Sequence, residues 1–551
     1  MAWKPFALAP LRRWLLVGTT GLAVVAPLAR AQEKKPADKP TVLAGGGAAP
    51  ADSVTEGSVT VGGHAIAYRA VAGMLTVGST NSVDAMLGLD GKLLPDAGVE
   101  WPAKVEDQPA TARMFYAAYF KKDAKPGTRP ITFAYNGGPG SSTMWLHMGC
   151  FGPRRVVTTD TQHDMAAPYT IEENKNSLLD VSDIVFIDAP GTGFSRVYGK
   201  DKEKAFWGTD PDAAAFARFI KRFLTKYDRW NSPKYLFGES YGTTRDAALS
   251  YALRGVDLNG VVFLSSILNF DDSADGPQAD PGTDQAYALA LPTYAATAFY
   301  HHMVQGQSGT LEEFLKGVED YAVNEYTSAL MLGADLPEAR KQAVAEKLQG
   351  FTGVPAAYWL KANLRVTGGE FSKELETDKG ITVGRLDTRY EGPDLDPLSQ
   401  FSMYDPQSVA ISSAYGTAIN EYMRDTLHFG ENMTYKPSAY GEPGFNWELK
   451  HAVPGERRGF DASVNVMPDL AMTMKLNPKM KVMLAGGYFD AATTFFGAMH
   501  EMKHLPIPAN LQSNISYHFY QAGHMIYVSE PVLTQFHHDV AAFILSNENS
   551  K

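Results

Sequence analysis

Tyr235-Leu236-Phe237-Gly238-Glu239-Ser240-Tyr241-Gly242-Thr243-Thr244-Arg245-Asp246-Ala247-Ala248-Leu249 reads as a strand, a tight turn and a helix in immediate succession. The apolar run Tyr235 to Phe237 suits a buried strand, and Thr243 to Leu249 suits a helix. Between them Ser240 occupies a Gly-x-Ser-x-Gly turn, the arrangement of a nucleophile elbow. The flanking glycines matter because side chains there would crowd both the turn and anything approaching the serine hydroxyl. In a chain with 50 glycines the pentapeptide alone decides little; the strand before it and the helix after it give it weight.

Outward from the elbow the pattern repeats. Val59, Val61, Ala65, Ala67 and then Met74 to Val77 alternate as an antiparallel hairpin or meander does, and Met114 to Phe120 continues in the same way. Ile131 to Tyr135 is a short apolar run that stops at Asn136-Gly137-Gly138-Pro139-Gly140, and Ile184 to Ile187 stops at Asp188-Ala189-Pro190-Gly191. Ala213 to Tyr227 has an amphipathic helical pattern, and Val261 to Leu264 follows the elbow helix. Short apolar strands alternating with helices predict a mainly parallel sheet covered on both faces. From about 269 to 440 helical stretches dominate: Gln285 to Met303, Leu311 to Leu332, Pro337 to Leu348 and Ala410 to Leu427. Strand character returns at Lys481 to Ala485 and Ile515 to Phe519. The expected organisation is an α/β core over 53–268 and 441–551, interrupted by a mainly helical cap insertion over 269–440.

The chain has 551 residues, 44% of them hydrophobic and 11% aromatic, enough for a substantial core. A net charge of −11 without a long basic block argues against nucleic-acid binding and against attraction to an anionic membrane surface. Lys4, Arg12 and Arg13 precede the apolar run Trp14 to Leu28, and Ala29-Arg30-Ala31 supplies a cleavage site. This predicts a signal peptide over 1–31, a flexible tether over 32–52, and no stable membrane association after cleavage. Cys150 is the single cysteine, so no intrachain disulfide forms; an exported chain of this kind suits a bacterial periplasm.

A serine hydroxyl becomes a nucleophile when a base accepts its proton, and that base needs an orienting carboxylate. On an elbow of this type the partners follow in the order serine, acid, histidine, each on a loop after a strand. Met483 to Ala485 leads into Gly486-Gly487-Tyr488-Phe489-Asp490, and Ile515 to Tyr520 leads into Gln521-Ala522-Gly523-His524. Asp490 and His524 are therefore the expected partners of Ser240, ahead of His518 in a strand and His537 and His538 in the closing helix. An oxyanion hole needs two backbone N–H groups: Tyr241, after the nucleophile, supplies one, and the Asn136 to Ser142 loop the other.

Asn136-Gly137-Gly138-Pro139-Gly140-Ser141-Ser142, Phe186-Ile187-Asp188-Ala189-Pro190-Gly191-Thr192-Gly193-Phe194-Ser195, Gly238-Glu239-Ser240-Tyr241, Gly487-Tyr488-Phe489-Asp490 and Ala522-Gly523-His524-Met525 together resemble the serine carboxypeptidase family, peptidase family S10. The resemblance covers about 110–270 and 460–545. It implies an α/β-hydrolase fold with a helical cap, no cofactor, and release of C-terminal residues from peptides with a free C-terminus, favoured at acidic pH. Carried over, Ser240 is the nucleophile, His524 the base and then acid, and Asp490 its orienter. The Gly138 and Tyr241 amides form the oxyanion hole, while Asn136 and Glu239, with Gly137 beside them, bind the substrate's terminal carboxylate. Glu239 can hydrogen-bond a carboxylate only while protonated, since two like charges in contact repel. The chain departs from the resemblance by lacking a cysteine in the Gly-rich loop. Gly242-Thr243 also follows Gly-Glu-Ser-Tyr directly. Finally, Met148 to Pro153 stands where family members often place a second glutamate, which puts Cys150 among the expected pocket residues.

Three rival readings remain. An esterase or acyltransferase would use the same serine, acid and histidine. His500-Glu501-Met502-Lys503-His504 matches the H-E-x-x-H pattern of zinc proteases, with no third ligand evident and Pro506 close behind. A hydrolase fold acting purely as a binding protein would leave the triad unused.

Overall fold

The computed structural model describes residues 44–95, 101–454 and 463–548. The expected signal peptide and residues 32–43 of the expected tether lie outside them. Of the expected tether, residues 44–52 are described, and Ala44 is buried against the core. Arg113 is buried and needs acceptors; its Nη2 donates to the Ala44 carbonyl at 2.6 Å. Asp52 pairs with Lys226 Nζ at 2.6 Å.

Among the described residues ten strands form one sheet, nine of them along a single path. These are β1 (Ser53–Val61), β2 (His64–Gly78), β3 (Thr111–Lys121), β4 (Ile131–Asn136), β5 (Asp183–Ile187), β6 (Lys234–Glu239), β7 (Gly260–Leu264), β8 (Lys481–Gly487) and β9 (Ile515–Tyr520). Their spatial order is β1-β2-β3-β5-β4-β6-β7-β8-β9, and the short strand Arg196–Tyr198 pairs with β3. The first strands run antiparallel, with Gly62 and Gly63 at φ 55° and 80° closing a two-residue hairpin turn between Val61 and His64. From β5 to β9 every neighbour is parallel. This is the α/β-hydrolase arrangement preceded by one extra hairpin strand.

Alternate side chains feed two separate apolar clusters, one on each face of the sheet. Phe133, Leu236, Phe263 and Leu484 point to one; Ala134, Phe237, Leu264 and Met483 point to the other. Burial on both faces is why these strands read as unbroken apolar runs.

The insertion divides in two. The helices Gln285–Tyr300, Leu311–Tyr321, Glu338–Thr352 and Gly368–Glu374 enclose a third apolar cluster built on Leu291, Leu315, Leu348 and Phe371. The helix Pro406–Glu421 instead packs Ile411, Tyr415 and Ile419 into a main-sheet cluster. Its Ala410, Ala414 and Ala418 are buried there too, and such short side chains permit close approach. An antiparallel pair, Ile381–Val383 with Glu391–Pro393, also interrupts the expected helical run.

Candidate active site

β6 continues through Glu239, and the chain then reverses at Ser240 (φ 61°, ψ −130°) before the helix Tyr241–Ala252. A non-glycine residue at positive φ costs on the order of 1–3 kcal/mol and needs surrounding structure to hold it. Ser240 N–H donates to the Leu264 carbonyl at 3.0 Å, and Thr243 Oγ1 donates to the Ser240 carbonyl at 2.7 Å. A serine at a helix N-cap usually accepts a bond from a first-turn amide. Ser240 makes no such bond, so its half-buried hydroxyl is not engaged by the helix.

β8 and β9 are adjacent and parallel, so the loops leaving their C-terminal ends lie side by side. Asp490 comes from one loop and His524 from the other, and His524 Nδ1 lies 2.8 Å from Asp490 Oδ2. Asp490 is fully buried and pinned: Oδ1 accepts the N–H groups of Ala492 and Thr493 at 2.9 and 3.0 Å, and Oδ2 accepts Thr493 Oγ1 at 2.7 Å. With Nδ1 donating to the carboxylate, Nε2 is left as the acceptor for a serine proton. Burial alone disfavours the imidazolium, but the Asp490 carboxylate and the nearby Glu239 outweigh it and raise the His524 pKa above its ordinary value. The exit of β7 joins both halves. Leu264 receives the Ser240 N–H, and Ser265 donates through Oγ to the His524 carbonyl at 2.7 Å.

β4 lies beside β6 with Asn136 opposite Glu239. The Asn136-Gly137-Gly138 loop therefore meets the start of the elbow helix, where first-turn N–H groups have no intrahelical acceptor. The approach is so close that a Cβ on Gly137 would fall on the amide nitrogens of Tyr241 and Gly242. Gly138 is exposed at the edge of this contact, at φ 108°.

Asn136 Nδ2 donates to Glu239 Oε2 at 2.9 Å, and Tyr527 Oη donates to the same oxygen at 2.8 Å. Asn136 Oδ1 accepts Leu146 N–H at 3.0 Å, which fixes the amide's orientation, and Arg245 Nη1 donates to the Asn136 carbonyl at 2.8 Å. Glu239 is buried, and burial pushes its pKa up to about 7 although His524, Tyr527 and Asn136 pull it down. Thus Ser240, Asp490, His524, Asn136, Gly137, Gly138, Glu239 and Tyr241 all gather at the C-terminal ends of β4, β6, β8 and β9.

Cys150 is the exception. It is fully buried at the end of the Met144–Gly149 helix, inside the apolar cluster that holds Tyr415 and Tyr527. Burial pushes its thiol well above the usual range, with the Glu239 charge adding to the effect. The expected pocket role is corrected: the thiol packs near the acid without reaching solvent. Tyr527, Thr493 and Ser265 are site residues that sequence reasoning missed. Tyr527 stands in the same turn as His524, but its partner lies 288 positions away, so no local pattern marks it.

The cap reaches into the site through the loop between its two short strands. His524 N–H donates to the Leu386 carbonyl at 2.6 Å, Ala491 N–H to Arg385 at 3.1 Å, and Thr388 N–H to Phe489 at 2.9 Å. One loop thereby braces both the Asp490 loop and the His524 loop. His500 and His504 stack at 3.8 Å, but the carboxylate a zinc protease would need as base is engaged elsewhere. Glu501 is buried and accepts the N–H groups of Leu268 and Asn269 at 2.9 and 2.8 Å.

Residues 104–253 match the family model described as Peptidase_S10, serine carboxypeptidase. A carboxypeptidase Y homolog of Arthroderma benhamiae is 29% identical over 147 residues, which are 26% of this chain and 27% of that protein. Serine carboxypeptidase-like 36 of Arabidopsis thaliana is 29% identical over 142 residues, 24% of this chain and 26% of that one. The chain thus spans about a quarter of the length of the curated relatives it matches. Among solved structures, a prohormone-processing carboxypeptidase from Saccharomyces cerevisiae, Kex1(delta)p, aligns at TM-score 0.48 and 13% identity, covering 87% of this chain and 91% of that one. The matched segment carries the Gly-rich loop, the Asp188 loop and the elbow, so over residues 104–253 the chain is similar to serine carboxypeptidases.

Proposed function

We propose that the protein is a serine-type carboxypeptidase that releases C-terminal residues from peptides through an acyl-enzyme. The observation that carries this reading is the buried Asn136–Glu239 pair, hydrogen-bonded at 2.9 Å one residue before the nucleophile. Ser240 Oγ attacks the scissile carbonyl while His524 Nε2 takes its proton, and Asp490 stabilises the imidazolium. The Gly138 and Tyr241 amides are the donors for the developing oxyanion. The imidazolium then protonates the leaving amine, and water repeats the sequence to free the acyl group.

Glu239 and His524 lie within each other's field, so they titrate as a coupled pair. Peptide turnover needs the proton on Glu239, where it can bond the substrate carboxylate, and a neutral His524. Above about pH 7 Glu239 ionises and repels that carboxylate, while esters and amides without a free carboxylate remain acceptable. This gives the esterase or acyltransferase reading its support as the second possibility.

Mass spectrometry of an unblocked peptide incubated across pH, with Ser240→Ala as control, tests the proposal. Stepwise C-terminal loss at acidic pH, abolished in Ser240→Ala, is expected. Internal cleavage, or ester hydrolysis without peptide loss, would overturn it. Export through the 1–31 segment, to a bacterial periplasm, belongs to the same proposal and rests on Arg12, Arg13, the apolar run and Ala29-Arg30-Ala31. A mature N-terminus at Gln32 is its expected signature.

A further inference from the structure

A second cluster of chemically capable side chains lies in the cap. His301 follows the helix Gln285–Tyr300, Glu376 follows the helix Gly368–Glu374, and Glu391 opens the strand Glu391–Pro393. One ligand atom from each lies within 4.8 Å of the others.

The hydrogen bonding of the cluster is incomplete. His301 Nε2 lies 2.7 Å from the Thr388 carbonyl, so it donates there. That bond fixes the tautomer and leaves Nδ1 with a free lone pair, as outer carbonyls do for metal-bound histidines. Yet Nδ1 faces Glu391 Oε1 at 3.0 Å, acceptor against acceptor in the neutral ring. Protonating His301 would satisfy Glu391 and supply nothing to Glu376. That residue is 3% exposed; its Oε1 pairs with Lys379 Nζ at 2.5 Å, and its Oε2 has no hydrogen-bond partner. A buried carboxylate oxygen without a donor is costly unless something else compensates it.

We propose that His301, Glu376 and Glu391 form a binding site for a divalent transition-metal cation, with zinc the best match to the donors. One imidazole nitrogen and two carboxylate oxygens, completed by water, make a four-coordinate zinc set. Lys379, whose side chain is 60% exposed, is free to turn into solvent when the cation takes its place. The consequence reaches the catalytic acid. Thr388, which holds His301, also donates to the Phe489 carbonyl, next to Asp490.

Equilibrium dialysis of the full chain against Zn2+, with metal analysis of the protein, tests this. One saturable site is expected in the unmodified protein and in the double variant His500→Ala, His504→Ala. Affinity should fall by at least about tenfold in His301→Ala, Glu376→Gln and Glu391→Gln. Glu391→Gln alters a side chain that is 44% exposed, so it keeps the test valid if the buried variants fail to fold. Absence of saturable binding, affinity unchanged in Glu391→Gln, or loss confined to the His500 and His504 variant would overturn the assignment.

Discussion

A carboxyl group serves a site only in the protonation state its task requires, and the surroundings of Glu239 decide that state. Burial pushes its pKa up to about 7, and Asn136 and Tyr527 both bond to Oε2. Glu239→Gln removes the ionisation and keeps an amide that can donate to a carboxylate. The fall in peptide turnover above about pH 7 should then disappear. Because the Glu239 charge helps to raise the His524 pKa, the acid limb of kcat/KM should also move to lower pH. An unchanged pH profile in Glu239→Gln would remove Glu239 from this role. Ser240, Asp490 and His524 were legible in the sequence because each follows an apolar strand and they occur in the order serine, acid, histidine. Tyr527 and Ser265 were not, because a tyrosine or serine in a loop carries no local sign of the distant atom it bonds.

At the scale of elements, the site depends on how closely a loop and a helix meet. Gly137→Ala would place a methyl group against the Tyr241 and Gly242 amides. Displacing these donors by about an ångström should lower kcat by roughly 100-fold, with a smaller change in KM. Steady-state kinetics on a blocked dipeptide would show this, and near-normal kcat would mean that the contact is not part of the oxyanion hole. Behind the elbow helix, Arg245 pairs with Asp212 at 2.6 Å, and both are fully buried. Arg245→Ala leaves Asp212 charged and unpaired and also frees the Asn136 carbonyl, so a loss of about 3–5 kcal/mol in urea unfolding is expected. A loss under about 1 kcal/mol would show that the pair is not holding the helix in place.

At the scale of the molecule, segments far apart in sequence are closed onto one another by partly buried polar contacts. His451 lies between Asp210 and Asp469, at 2.6 and 2.7 Å, joining the first turns of the helices Thr209–Lys226 and Met467–Leu476. Burial alone would lower its pKa, but the two carboxylates raise it to about 9 from an ordinary 6.5. A folded-state pKa above the unfolded one stabilises fully below about pH 6.5, and that contribution is lost as pH rises through about 9. The melting temperature should therefore fall more steeply between these limits in the unmodified protein than in His451→Gln. Parallel curves would rule the contact out as a source of pH-dependent stability.

The sequence by itself determined the strand–turn–helix at Ser240, the mainly parallel character of the sheet, and which aspartate and histidine pair beside the elbow. Those features are written in local periodicity, in glycines where no Cβ fits, and in the order of motifs along the chain. What tertiary structure alone decided is the environment. It buried Cys150 away from the pocket, bonded the Ala44 carbonyl to the buried Arg113, and divided the insertion between two apolar clusters. It also laid the Arg385 to Thr388 loop of the cap on both the Asp490 and the His524 loops and set Tyr527 on Glu239. Burial and long-range hydrogen bonds depend on which surfaces meet after the chain collapses, and no window of sequence contains both partners.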